Sequence, residues 1–457
     1  MKLNHLITSV SALVLLLLGC TKHDLTETSP DEKVMSVKYQ DNKSLPHTKK
    51  YDAEVATAWY HLLTRITRTT PYVSAPSARM FAYTGMALYE SVVPGMPSHQ
   101  SIYKHLTGNA IDVDHKKQYY WPAAANAAMA GIIKKLISNY TANPNFASIN
   151  NLESTFNEKF ALEASPDRIS NSIDFGKSVA EKMYDWSKTD GTLTPAGTVA
   201  SCPAYIPSGA QGTWIPTPPG FLPATGGCQG TLRTFNVNIA ANTLPPPPPA
   251  YSTNDASDFY KMADEVYQIS KTLTQEDHRI IQQWRDLLGT NYNTPSHMLK
   301  LTSLIIDKEN VDLATASVIY AKEGLAIFDA IASTFYAKFY YKLIRPITYI
   351  RNVIGISTWN AVYPTVQHPS YPAIVPGGAS AAVEILRDHF GDDYSFIDST
   401  HHALYGSFNY ATFNEMLEDV GRSRTHGGFN FQNSVAAGIK QGQTVGNRIN
   451  ALPFKKP

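Results

Sequence analysis

Apolar residues recur at three- and four-residue intervals along most of the chain after residue 50. Over 51–69, Val55, Trp59, Leu62, Leu63 and Ile66 fall on one stripe, which predicts an amphipathic helix. A second helix is predicted from Pro76 to Val93, with proline near its start and Met80, Tyr83, Met86 and Ala87 along it. The same spacing predicts helices over 121–140, 146–162, 168–188, 256–272, 275–288, 311–344, 376–390, 411–422 and 432–450. Few stretches alternate with the period of two that strands require. The pattern therefore predicts an all-α protein, a large helical bundle without internal repeats. It is interrupted over 189–255, a Pro/Gly-rich stretch holding the run Pro245 to Pro249. Proline disfavours helix and favours extended polyproline conformations. A loop this long is either an excursion packed on the surface or a domain boundary.

The N-terminus reads differently. Lys2 is followed by a mostly apolar run from Leu6 to Leu18, ending in Leu17-Leu18-Gly19-Cys20. That run is shorter than the ~20 residues a membrane-spanning helix needs. It resembles a bacterial lipoprotein signal over 1–19, cleaved so that Cys20 carries the lipid. Residues 20–50 are polar and read as a flexible tether. The expectation is a chain held to a lipid bilayer in the bacterial cell envelope, periplasmic or surface-facing.

With 457 residues, the chain is long enough to bury a large core. Its net charge of +1 gives no global electrostatic support for a nucleic-acid partner, so any basic site must be local. Besides Cys20, the cysteines are Cys202 and Cys228, which bracket part of the Pro/Gly-rich stretch. An even pair in an exported protein predicts a disulfide; two free buried thiols are the other reading. No Cys-x-x-Cys or His-x3-His pair suggests a zinc site.

The chemistry-bearing motifs lie in the site-bearing half, 311–450. Lys338 stands six intervening residues before Arg345-Pro346. His368-Pro-Ser-Tyr-Pro372-Ala373-Ile374-Val375 follows, and Ser423-Arg424 comes last, with Asn430 and Ser434 downstream. Positive charge and converging N–H donors are what a phosphate-like oxyanion requires, and the guanidinium fork binds two oxygens at once. Lys338 and Arg345 are close to two helical turns apart, so both can emerge from one face, with Pro346 placing Arg345 at a helix end. This frame resembles the Lys-x6-Arg-Pro, Pro-Ser-Gly-His and Ser-Arg-x5-His-x3-Asp motifs of the vanadium haloperoxidase and type 2 phosphatidic acid phosphatase superfamily. The resemblance extends to Arg79 through Glu90, to Trp284 and to the Thr294-Pro-Ser-His297 turn. Trp214-Ile-Pro-Thr-Pro-Pro also resembles a segment that lies across the helical body in secreted relatives. That implies a packed excursion within one haloperoxidase-like domain over 51–455.

By this resemblance Lys338, Arg345 and Arg424 bind the oxyanion, vanadate or phosphate. The residues that would do the chemistry depart from the family pattern. Ala373 stands at the serine position and cannot donate a hydroxyl bond. Val375 stands at the histidine that acts as general acid and has no proton to give. Asn430 replaces the nucleophilic or vanadium-binding histidine, and Ser434 the aspartate that orients it. An amide nitrogen is neither a nucleophile nor a good metal ligand. His426 and His368 are the candidate substitutes, while His401-His402 read as a polar loop. Three functions stay open: a degenerate haloperoxidase-like protein keeping an oxyanion pocket, an active haloperoxidase or phosphatase with displaced histidines, and a non-catalytic scaffold or binding module. Family members often pair as homodimers, but no dimer seam is readable here.

Overall fold

A computed structural model describes residues 45–69, 74–138 and 145–457. The expected signal over 1–19, Cys20 and most of the expected tether lie outside the described residues. Residues 45–50, the end of that tether, are seated on the body: the Thr48 hydroxyl donates to Val92 O at 2.7 Å and the Trp121 indole to Pro46 O at 2.6 Å. No helix among the described residues is long and apolar enough to cross a membrane.

The first half of the described chain supplies α1 (Glu54–Thr69), α2 (Ser74–Val92), α3 (Ile102–Thr107), α4 (Trp121–Ser138), α5 (Phe146–Ala161) and α6 (Pro166–Ser187). After the interruption come α7 (Ile239–Asn242), α8 (Asp258–Ile269), α9 (Gln275–Gln283), α10 (Thr294–Glu309), α11 (Leu313–Tyr341), α12 (Pro346–Tyr349) and α13 (Ile374–Phe390). The chain closes with β1 (Phe396–Asp398), α14 (His402–Tyr405), β2 (Phe408–Tyr410), α15 (Phe413–His426) and α16 (Gln432–Asn450). The two short antiparallel strands make the one sheet among these elements, so the protein is all-α as its pattern predicts.

α11 is apolar on all sides and buried along most of its 29 residues, the composition of a helix at the centre of a bundle. Asp312 caps its start by accepting from Thr315 N at 3.0 Å. It ends where Lys342 takes a left-handed conformation and returns its N–H to Lys338 O. That stop corrects the expectation of one helix over 311–344: Arg345 does not share a helix face with Lys338 but follows on extended backbone. α13 lies against α11 and α16. A Cβ added at Gly442 of α16 would sit 2.1 Å from Gly377 O, so the two backbones touch only because the side chain is absent there. Another correction is α10, a full helix where the sequence suggested only a turn at 294–297; its apolar residues face inward on three sides and show no narrow stripe.

The interruption packs along α11. Trp214 is fully buried, its N–H donating to Lys342 O at 2.6 Å, and Asp329 of α11 accepts from Phe235 N and Asn236 N at 2.8 Å each. Cys202 and Cys228 form the expected disulfide. Reducing it releases a loop closed over a sequence separation of 26, so a Cys202→Ser, Cys228→Ser variant should lose ~3 kcal/mol of unfolding free energy in urea titrations. An unchanged midpoint would mean that Trp214 and its neighbours hold the loop unaided.

Three of the buried carboxyl groups are held strongly toward their neutral form. Burial pushes Glu323 up to about 8 and both Asp329 and Glu90 up to about 7. Thr302 donates to Glu323 Oε1 at 2.9 Å, and Oε2 has no partner. The folded state therefore holds protons that the unfolded chain releases near pH 4, so stability falls as pH rises from about 4.5 through 8. Glu323→Gln should leave the melting temperature nearly unchanged at pH 5 and raise it by several degrees at pH 9. A loss of stability at pH 9 would contradict the assignment.

Candidate oxyanion site

Lys338 lies one turn before the end of α11 and is fully buried. Its ammonium donates to Pro369 O at 2.8 Å and Ser370 O at 3.3 Å. Pro346 holds Arg345 in extended conformation, φ −91° and ψ 154°, at the start of α12. The Arg345 guanidinium is 1% exposed and almost fully engaged. Nε donates to His368 O and Nη1 to Phe429 O, both at 2.8 Å, while Nη2 reaches His368 Nδ1 at 3.1 Å and Pro369 O at 3.4 Å. Arg424 comes from the last turn of α15. One of its nitrogens donates to Trp284 O at 3.3 Å, and its guanidinium lies 4.4 Å from the Phe429 ring centre. Its remaining N–H groups have no protein acceptor among the described residues.

The three cations brought together by the fold are the three expected from the sequence, and they feel one another. Burial first, then Arg345 and Arg424, push Lys338 well below its ordinary value. Burial and the Arg424 charge push Arg345 down to about 9, and burial pushes Arg424 down to about 10. None has a carboxylate within ion-pair distance among the described residues. The nearest counter-charge in effect is Asp286, which acts on Arg424 only through space. Where a carboxylate or bound anion would sit against Lys338 and Arg345, the backbone carbonyls of 368–370 accept their hydrogen bonds.

The positions that depart from the family motifs in sequence surround the same spot. Gly428 takes φ +73°, and a Cβ there would meet the Trp359 ring at 2.8 Å; this turn after α15 carries the chain back past Arg424. Asn430 then donates its amide to Ser370 O at 2.7 Å. Ser434 accepts from Ala373 N through its carbonyl at 2.7 Å, and its hydroxyl lies 3.4 Å from that of Ser370. α13 starts at Ile374 with Ala373 as a cap that offers no side-chain acceptor or donor. The N–H groups of Ile374 and Val375 in its first turn have no protein acceptor among the described residues. The Val375 side chain belongs to the apolar core.

The candidate substitute histidines part company. His426 lies on the other side of α15, with its Nδ1 3.7 Å from Asp277 and 3.3 Å from Arg422 O, and does not join the cations. The expectation that helical spacing would turn it toward the site fails because Arg424 and His426 point in different directions from the same turn. His368 is in the site. Burial, Lys338 and Arg345 hold its ring neutral, well below its ordinary value. Because a guanidinium can only donate, Nδ1 accepts from Arg345, which leaves the ring proton on Nε2. That tautomer has no free lone pair.

Behind Trp284 lies a buried polar cluster that sequence reasoning touched only at His297. The His297 ring stacks on Trp284 at 4.2 Å, and its Nε2 meets Asp398 Oδ2 at 2.7 Å. Gln283 donates to the same carboxylate oxygen at 2.8 Å. His401, read as a loop residue, is buried and accepts from Tyr292 N at 2.9 Å; burial and His297 push it down to about 3. No local pattern marks these residues, because 101 positions separate His297 from Asp398. Two surface cavities lie elsewhere. The larger, about 380 Å³, sits between α10 and the hairpin, lined by Leu304, Ile305, Phe396 and Tyr410. No group of three or more His, Cys, Asp or Glu among the described residues could hold a metal ion.

The all-helical body is what the comparisons with known proteins also find. Residues 318–453 match the family model for the second helical-bundle domain of VCPO. A crystal structure described as the first bacterial vanadium-dependent iodoperoxidase is similar over 89% of this chain and 98% of its own, at 26% identity and a TM-score of 0.79. A holo-type bacterial vanadium-dependent chloroperoxidase aligns over 85% of this chain and 95% of its own, at 15% identity and a TM-score of 0.65. Its apo-type counterpart aligns over 82% and 92%, at 16% and 0.62. No curated protein sequence matches the chain. These matches support a vanadium haloperoxidase-like helical fold for the described chain, with residues 318–453 corresponding to the second helical bundle.

Proposed function

We propose that this protein is a catalytically degenerate haloperoxidase-like lipoprotein that retains a binding site for a tetrahedral oxyanion, phosphate, a phosphoester or vanadate. The observation that carries the reading is the buried cluster of Lys338, Arg345 and Arg424 with no carboxylate in ion-pair reach among the described residues. Isolated buried charge is strongly unfavourable, and carbonyl dipoles offset only part of it. A bound anion offsets the rest. Arg424 supplies the free N–H donors, and the first-turn N–H groups of α13 are available to it. Lys338 and Arg345 contribute mainly through their field while they hold the 368–370 backbone.

Vanadate coordinated to an imidazole does not suit these residues. Val375 and Asn430 offer neither a proton nor a ring nitrogen, and the His368 lone pair is committed to Arg345. The reading of an active enzyme with a displaced histidine loses its support there. A lipid anchor at Cys20 would hold the protein to the cell envelope, with the body presented on a short tether.

The test loads the purified protein with orthovanadate, and separately with phosphate, and measures affinity by calorimetry beside peroxide-dependent iodide and bromide oxidation. Binding weakened at least tenfold by Arg424→Ala, with no halide oxidation, is the expected result. Because burial and the neighbouring cations lower Lys338, a bound anion should raise it again, so any proton uptake on binding should grow as pH rises. Calorimetry in buffers of different ionisation enthalpy reads that uptake directly. Absence of binding to either anion would remove the pocket, and Arg424-dependent halide oxidation would overturn the degenerate reading.

A further inference from the structure

The segment 245–252, which begins with the proline run, is tied to the cation site by three tyrosine hydroxyls, from the segments that follow Lys338, Arg345 and the carbonyls of 368–370. Tyr341, three residues beyond Lys338, donates to Pro245 O at 2.5 Å. Tyr349, four residues beyond Arg345, donates to Ser252 O. Tyr371, next to the carbonyls of 368–370, donates to Pro246 O. The Tyr341 and Tyr371 rings meet edge to face at 5.3 Å, and Tyr349 packs against Phe259 and Tyr251 beneath the strap.

A run of prolines has no N–H groups, so it cannot pair reciprocally with a neighbouring strand and its carbonyls take donors from elsewhere. Two hydroxyls supply donors to Pro245 O and Pro246 O and a third to Ser252 O, and in doing so they fix the spacing of the segments they come from. Ser370 is joined to this frame by its own N–H, which donates to Leu343 O at 2.9 Å. Its carbonyl meets Lys338 and Asn430 on the other side. The strap thus pins the outer face of the backbone whose inner face occupies the cations.

Building on the oxyanion reading above, we propose that Tyr341, Tyr349 and Tyr371 are positioning residues. Through the 245–252 strap they hold the 368–370 carbonyls against Lys338 and Arg345, and so set how many donors those cations offer a tetrahedral oxyanion. With the hydroxyls in place, Arg424 is the main donor. With the strap released, the carbonyls can retreat and the N–H groups of Lys338 and Arg345 turn to the anion.

The experiment uses the full chain carrying Tyr341→Phe, Tyr349→Phe and Tyr371→Phe together, which keeps all three rings. Tyr260→Phe is the control, since that ring packs on Tyr349 but its hydroxyl makes no bond to the strap. Amide hydrogen exchange is followed at Ser370, and orthovanadate affinity is measured beside it. Exchange at Ser370 should rise at least tenfold and vanadate should bind at least fivefold more tightly, with the Tyr260 variant unchanged. Unchanged exchange at Ser370, or faster exchange with unchanged or weaker vanadate binding, overturns the proposal. If neither the parent nor the variant binds vanadate, the oxyanion reading falls, and exchange at Ser370 alone decides whether the strap holds the carbonyls. Should the triple variant not fold, Tyr371→Phe alone gives the same readouts.

Discussion

Three positive charges buried together, with no carboxylate at contact distance among the described residues, are the condition around which the second half of this protein is arranged. Such a cluster repels itself and has lost its water, and the downward shifts of Lys338, Arg345 and Arg424 express both effects. The fold answers with oxygen dipoles: carbonyls of His368, Pro369, Ser370, Phe429 and Trp284 all accept from these side chains. Neutral dipoles reduce the cost without cancelling the charge. The residual field is what the proposed oxyanion would answer, and it is independent of whether any chemistry survives.

The losses at Ala373, Val375, Asn430 and Ser434 are consistent with one another as packing, not only as missing chemistry. Val375 has joined the apolar core, and Asn430 has turned its amide to Ser370 O. Ser434 supports the start of α13 through its backbone. Each position has a contact that stabilises the filled arrangement. A histidine or aspartate returned to one of them alone would meet groups already paired with something else. His368 illustrates the same point from the other direction, since it is near the cations yet spends its lone pair on one of them.

Support for the site comes from elements far away in the chain. The glycines of α16 let that helix lie directly on the backbone of α13 and fix where its first turn begins. Trp214 and the disulfide-closed loop cover the end of α11, and the 245–252 strap binds the tyrosines that follow Lys338, Arg345 and the carbonyls of 368–370. The interruption that broke the helical pattern is therefore part of the site's frame. Its irregular backbone is tolerated because side chains and α11 satisfy its polar groups.

Much of this was legible along the chain. Three- and four-residue spacing marked most of the helices, since burial on one face leaves that signature, and the order and spacing of Lys338, Arg345 and Arg424 marked the site. The pair Cys202 and Cys228 marked the disulfide. What stayed hidden depended on partners distant in sequence. α10 is buried on several sides and so has no narrow stripe to read. The end of α11 at Tyr341 is decided by the left-handed Lys342 and the docking of Trp214, not by local propensity. Which histidine reaches the cations was a matter of direction: His426 leaves its helix turn away from Arg424, while His368 is folded back on Arg345 by 23 positions of intervening chain. Residue types and their intervals determined that a cation site could exist. Only the tertiary packing decided that backbone carbonyls fill it, because those contacts belong to no local pattern.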